Sequence, residues 1–320
     1  MYDPEIEMLP ADLKAALLKF EKTGEETIDR FTASVNSFEP PDLLYHYTDD
    51  KGLKGVLETG NLWFTDIFNL NDPSEIAHGF RKALELLDRL TRPRMPIHET
   101  FLRGFTNFVD KGGLGAAANF FTCSFSLASD DLGQWRAYAD NGKGYALGFD
   151  AKELDESFMG DPKNNPSTFL VTYNDAKLDE LFLKIINAGM ELIALPRGKG
   201  LAQQQARIYM VQFSTMFSVL MLNASLYFKH EAYKNEEEFR FLQTFRKDLP
   251  PNCKTRSRPY SLVKYREVNW KKVAAKSLRR IVIGPAADIT KARQFAEDCC
   301  KEFYASPIEI IRSKIPYRAS

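Results

Sequence analysis

The chain has 320 residues, 44% of them hydrophobic, with 24 Phe, 13 Tyr and 3 Trp. That apolar and aromatic load excludes a disordered or low-complexity protein, and a chain of this length builds a core without disulfide or metal staples. Forty-three basic and 43 acidic residues cancel, so net charge alone marks neither a nucleic-acid coat nor an acidic tail.

In chain order, apolar spacing predicts a helix over 11–35, ended by Pro40 and Pro41, and a short strand at Leu43–Tyr47. Thr48 or Asp49 caps a helix running through Leu57 and stopped by Gly60, and a second strand follows at Leu62–Thr65. Asn69–Pro73 reads as a turn, Glu75–Leu90 as a strong helix broken by Pro93 and Pro96, and 98–110 as helical. After a loop with Gly112, Gly113 and Gly115 come a strand at Asn119–Ser126, a helix at Asp131–Ala139, a turn at Asn141–Gly142 and a strand at Gly144–Phe149. Phe169–Tyr173 is a further strand, followed by helices at 176–194 and 201–228 and strands at Glu237–Gln243, Tyr260–Val268 and Ile281–Gly284. A helix at 289–303 and a strand at Ile308–Ile311 close the chain. Elements that mix rather than alternate predict an α+β class, in one compact domain over 1–320 with a helical N-terminal segment (1–40), an α+β core (43–313) and helical insertions.

Ile208–Phe228 carries no charge over 21 residues, the length of a membrane span. Gln212, Ser214, Thr215, Ser218, Asn223 and Ser225 make it too polar for hydrocarbon, so a buried core helix and no membrane partner are expected. The acidic N-terminus does not read as a signal peptide. Four cysteines (Cys123, Cys253, Cys299, Cys300) without a CxxC motif point to a cytoplasmic protein, and four histidines make a His-built metal site an unfavoured reading. Between Arg246 and Arg280 stand twelve basic and two acidic residues, a local surplus that attracts phosphates or serves as a solvated edge.

Four constellations carry candidate chemistry. Strand alternation places His46 and Thr48 on one face of Tyr45-His46-Tyr47-Thr48, with Tyr45 and Tyr47 on the other. Trp63, in Leu62–Thr65, precedes an acceptor-rich loop, Asn69–Glu75, in which Asn71-Asp72-Pro73 reads equally well as a turn and helix start. Ser124 and Ser126 share a strand face, and Trp135 and Tyr138 share a helix side, as core or as a ligand clamp. Finally Glu236, Glu238 and Arg240 alternate with Phe239 and Phe241. That line is either an exposed edge with a salt bridge of little worth, or a carboxylate held in a polar cleft to bond a sugar hydroxyl and stabilise charge at an anomeric carbon.

Together these motifs resemble a widespread bacterial domain family of unknown function, over residues 43–241 with an extension to about 313. The order of strands and polar positions also resembles the ADP-ribosyltransferase superfamily, which implies a split sheet binding NAD, consumed as a substrate, in its cleft. By that resemblance His46 is the first-strand His, Thr48 lies on the adenosine side, and Trp63 (or Tyr138) takes the nicotinamide-stacking position that is usually a Tyr. Glu238 is the catalytic Glu and Glu236 orients or deprotonates the acceptor. Tyr47, Asn71, Ser124, Ser126, Trp135 and Arg240 join them as NAD-binding positions. The resemblance thus implies an ADP-ribosyltransferase or NAD glycohydrolase, in a toxin or defence role, with a nucleic-acid or protein acceptor reached through 246–280. The alternatives are a non-catalytic nucleotide or nucleic-acid binding module and a metal-dependent nuclease built on Asp72, Glu75, Glu236 and Glu238.

Overall fold

The computed structural model describes residues 4–35, 41–69, 74–92, 95–110, 118–159, 167–196, 199–246, 252–272 and 275–318. The class is mixed α+β, as the sequence predicts. The helices are α1 (Ala11–Val35), α2 (Asp50–Thr59), α3 (Ser74–Leu90), α4 (Pro96–Asp110), α5 (Leu132–Tyr138), α6 (Ala151–Met159), α7 (Asp175–Ala194), α8 (Gln203–Ser225) and α9 (Ile289–Phe303). The strands are β1 (Leu43–Thr48), β2 (Asn61–Asp66), β3 (Ala118–Ser126), β4 (Tyr145–Asp150), β5 (Ser167–Leu170), β6 (Glu238–Arg246), β7 (Lys254–Arg258), β8 (Ser261–Asn269), β9 (Leu278–Ile283) and β10 (Glu309–Arg312).

Local chemistry explains several boundaries. The Asp49 side chain accepts the Gly52 N–H and starts α2; Gly60, at φ +65°, ends it and turns the chain straight into β2. Asp131, Asn174 and Asp288 cap α5, α7 and α9 in the same way. Pro96, read from the sequence as a breaker, is instead the first residue of α4, where a fixed φ and a missing N–H cost nothing.

The strands form one forked sheet. β6 pairs with β3 along its whole length, from Ala118↔Arg246 to Ser126↔Glu238, and so occupies one edge of β3; β5 lies beyond it. The other edge of β3 receives two strands at different heights. β1 joins at Tyr45↔Ser126, and β2 at Thr65↔Thr122 and Asp66↔Phe121. β1 carries one arm of the fork, β1-β4-β9-β10, and β2 the other, β2-β8-β7. Between the arms, Cys123, Ser124 and Phe125 have no strand partner on that edge among the described residues.

Helices cover both faces. On one, α1, α3, α4, α7 and α8 build a Phe-rich layer (Phe20, Phe101, Phe105, Phe213, Phe217) over Phe120, Phe169 and Leu242 of β3, β5 and β6. On the other, α2, α6 and α9 pack on Leu44, Phe64, Phe125, Phe149 and Phe241. A smaller cluster of Tyr45, Tyr47, Trp135 and Val282 sits under α5. Helix α8 is the expected core helix: 72% of its most apolar window is buried, and its buried hydroxyls bond back to the helix, Ser218 to the Ser214 carbonyl and Ser225 to that of Met221.

The structure corrects the sequence expectations in four further places. Helix α6 was not anticipated; it follows β4 with no Gly or Pro between, and the Asp150 carboxylate caps it by accepting the Glu153 N–H. Strand β7 was missed because Lys254, Arg256 and Arg258 hide its alternation behind charge. β5 lies two residues earlier than predicted, where it pairs with β6, and Thr172 makes only an isolated bridge to Phe228. Last, the basic run 246–280 is not one patch: Arg279 and Arg280 lie on β9, across the fork from β7, and pair with Glu153 and Glu309.

Candidate functional site

The fork encloses a cleft of about 610 Å³, within the range of small-molecule and cofactor sites. Residues directly opposite in antiparallel strands share a face, so Tyr45, Ser126 and Glu238 align, as do Ser124 with Arg240 and Thr122 with Thr65. This polar row forms the floor. α2 supplies one wall through Lys51, Gly52, Gly55 and Thr59, and β2, β7 and β8 supply the other through Trp63, Arg256, Arg258 and Glu267.

His46 belongs to the opposite face of β1, yet its ring turns into the gap that the diverging strands leave. Nδ1 lies 3.3 Å from the Ser124 carbonyl. A carbonyl only accepts, so Nδ1 carries the proton and Nε2 keeps its lone pair. Burial lowers the imidazole pKa, and the Ser124 bond offsets this in part, so the ring is neutral at pH 7.

The deep end of the cleft holds an ion network. Glu238 and Arg240 are 5% and 2% exposed. The Arg240 Nε and Nη2 atoms donate to the two Glu238 oxygens at 2.6 and 3.0 Å, and Nη1 donates to the Leu226 carbonyl. Lys229, itself buried, reaches Glu236 at 2.5 Å and Glu238 at 3.2 Å. Burial would raise the Glu238 pKa; the charges of Arg240 and Lys229, with hydrogen bonds from Arg240 and Ser124, override it and hold the carboxylate at about 2. Two carboxylates and two cations cancel, so this end is neutral overall but strongly polarised.

The exposed-edge alternative for Glu238 and Arg240 is thereby corrected. β6 is paired on both sides, by β3 and β5, and the pair is buried. Glu236 is not on the strand at all. It ends a 3-10 turn (Glu231–Glu236), and Glu237, at φ +42°, turns the chain into β6.

Most predicted site residues meet in this cleft: His46, Tyr47, Thr48, Trp63, Ser124, Ser126, Tyr138, Glu236, Glu238 and Arg240 all line it. Several also have structural duties. The Tyr47 hydroxyl donates to the Ala128 carbonyl and accepts the Asp131 N–H, and the Ser126 hydroxyl donates to the Glu236 carbonyl and accepts the Ala128 N–H. Trp135 is a correction. It is fully buried behind Tyr47, edge-on at 4.8 Å, with its Nε1–H on Asp130, and does not line the cleft. Of the α5 pair, only Tyr138 lines the cleft. Asn71 and Asp72 lie outside the described residues.

Sequence reasoning missed Lys229, Lys51, Gly55, Thr65 and Thr122, and took Arg256, Arg258 and Glu267 only as members of a charge run. Lys229 did leave a trace, as the first charge after the uncharged stretch Ile208–Phe228. Of the four carboxylates in the metal-site reading, Glu236 and Glu238 face cations, and Asp72 and the Glu75 side chain lie outside the described residues. Among the described residues no group of three or more His, Cys, Asp or Glu side chains is placed to hold a metal.

A family model described as a protein of unknown function (DUF2971) matches residues 134–241, about a third of the chain. The match runs from α5 to β6 and includes Tyr138, Lys229, Glu236, Glu238 and Arg240, whereas β1, β2 and β3 fall outside it. No curated protein and no solved structure matches the chain.

Proposed function

We propose that the chain is an NAD-consuming enzyme of the ADP-ribosyltransferase type, which cleaves the bond between nicotinamide and ribose and passes ADP-ribose to an acceptor or to water. The observation that carries this reading is the fork. By leaving one edge of β3 at different heights, β1 and β2 bring His46, Trp63, Ser124 and Glu238 from four strands to one cleft of nucleotide size.

In this reading His46 Nε2 accepts a hydroxyl of the adenosine ribose, beside Thr48. At the deep end the C1′–N bond breaks, its electron pair leaves on nicotinamide, and the Glu238 charge stabilises the oxocarbenium-like ribose. Glu238 is already well supplied with donors, and the longer Lys229 contact, at 3.2 Å, is the one that a ribose 2′-hydroxyl replaces. Lys229 then stays on Glu236, which takes the proton of the attacking acceptor. Trp63 is less free than the resemblance implies, since its ring packs at 4.5 Å on Tyr265. Trp63 is still 45% exposed, and Tyr138, 39% exposed, is the second aromatic lining the cleft.

The test is incubation of the protein with NAD labelled in the adenylate, following free nicotinamide and the label on DNA, RNA and protein. Wild type releases nicotinamide, and Glu238→Gln and His46→Ala lose most of that activity. Because Glu238→Gln disturbs a buried ion pair, its folding is checked by circular dichroism, and His46→Ala serves as the independent variant. Undiminished release by both folded variants would overturn the mechanism.

One observation favours a second reading, a cleft that binds a nucleotide without cleaving it: Arg240 and Lys229 already occupy both Glu238 oxygens. In that case wild type releases no nicotinamide, and Glu238→Gln alters affinity alone.

A further inference from the structure

At the mouth of the cleft, β7 turns Arg256 and Arg258 to the same face, two residues apart, and both line the cavity. One Arg258 nitrogen donates to the Asn69 carbonyl at 2.8 Å, which anchors that guanidinium. Arg256 is held differently. Its guanidinium carbon lies 5.2 Å from the Trp63 ring centroid, and its Nε is buried with no hydrogen-bond partner among the described residues. Burial and the adjacent Arg258 charge both push the Arg256 pKa down, which marks a site short of negative charge. The carboxylate on this wall, Glu267, does not supply it, because Lys254 holds Glu267 at 2.7 Å. The Thr122 hydroxyl, which also lines the cleft, is likewise buried without a partner among the described residues.

A half-buried guanidinium pair with an unbonded N–H and no facing carboxylate among the described residues carries a desolvation cost that an anion in the cleft offsets, and the planar fork of Arg suits phosphate oxygens. We propose that Arg256 and Arg258 form a phosphate-binding subsite at the mouth of the cleft, which takes the phosphate of a nucleotide whose base or sugar lies against Trp63. This deepens the nucleotide reading of the same cleft but does not require that the nucleotide be cleaved. The phosphate belongs either to a free nucleotide, such as the diphosphate of NAD, or to a single-stranded nucleic acid entering from the β7 edge.

Trp63 provides the readout. It is the exposed one of three tryptophans, since Trp135 and Trp270 are fully buried. Wild type, Arg256→Gln, Arg258→Gln and Lys264→Gln are titrated with ADP, with inorganic diphosphate and with a short oligothymidylate, following tryptophan fluorescence and heat. Lys264 is exposed on the opposite face of the β7–β8 hairpin and serves as the control. Saturable binding is expected, weakened about tenfold or more by Arg256→Gln and left unchanged by Lys264→Gln. Tighter binding of ADP names a free nucleotide as the source, and tighter binding of oligothymidylate names a strand. No binding of any probe, equal affinity in wild type and Arg256→Gln, or an equal loss in Lys264→Gln overturns the subsite. The reaction is scored separately. A wild type that releases no nicotinamide sinks the cleavage reading while this titration persists, whereas cleavage with unchanged affinity in Arg256→Gln sinks the subsite alone.

Discussion

The two ends of the cleft are both rich in charge and differ in how that charge is satisfied. At the deep end every charged group has a partner: Glu238 sits between Arg240 and Lys229, and Lys229 also holds Glu236. At the mouth Arg256 and Arg258 stand side by side, and Glu267, the carboxylate beside them among the described residues, is committed to Lys254. A satisfied buried network makes the protein's own geometry definite, because removing any member leaves another charge stranded. An unsatisfied pair contributes little to the fold and has binding capacity to spare. The deep end is therefore expected to answer mutation mainly in stability and chemistry, and the mouth mainly in affinity.

The largest expected effect comes from breaking one partner at the deep end. Arg240→Leu leaves Glu238 buried and half-paired and should cost roughly 3–5 kcal/mol in urea denaturation. Replacing both partners, as Glu238→Leu with Arg240→Leu, should recover most of that stability while abolishing any nicotinamide release; equal instability of the single and double variants would contradict the network. Acid gives the next effect. The Glu238 carboxylate falls from an ordinary 4.5 to about 2 on folding. Its stabilisation is thus complete above pH 4.5 and is lost as the pH drops toward 2, on the order of 3 kcal/mol in total. Glu238→Gln should flatten that limb of the stability–pH curve. His46 adds a slope at higher pH. Its folded pKa lies below the unfolded value, so the unfolded chain binds the extra proton and stability declines as the pH falls below 6.5. His46→Gln should remove this component.

The smallest stability effects are expected toward the mouth and wall. Arg256→Gln should change stability by less than about 1 kcal/mol, in either direction, while weakening nucleotide binding. Gly55 sharpens the contrast further. Of the two glycines in α2 that line the cleft, Gly52 is sterically required, because a Cβ there would strike the Thr48 hydroxyl, but a Cβ at Gly55 would meet nothing within 4 Å. A glycine inside a helix costs about 0.5–1 kcal/mol relative to Ala, and at Gly55 packing does not demand it. Gly55→Ala should raise the melting temperature by a few degrees while narrowing the cleft, and lower nucleotide affinity. A tighter-binding Gly55→Ala would place the ligand elsewhere.

Legibility in the sequence followed locality. The Asp49 cap and Gly60 stop marked α2, and the apolar spacing of Leu13, Leu17, Phe20 and Ile28 marked α1, because each is written within a few consecutive residues. Strand alternation correctly assigned Tyr45 and Tyr47 to one face and His46 to the other. The Trp135–Tyr138 spacing showed that both lie on one helix but not that Trp135 would be capped by Tyr47 and Asp130, partners far away in the chain. Lys229 and Arg256 escaped notice for a related reason: a lone Lys after a helix, or an Arg in a charged hairpin, becomes remarkable only once its neighbours are known.

The sequence by itself determined the class, most of the helices and strands and the polar residue types the cleft would need, since propensity, capping and periodicity act over one or two turns. Only the tertiary structure decided that β1 and β2 attach to one edge of β3 at different heights, that Glu238 is buried between two cations, and that the basic run divides across the fork. Those outcomes rest on strand register and burial between segments far apart in the chain. No local pattern specifies them; they are set when the two helical layers close on the sheet and desolvate what lies between.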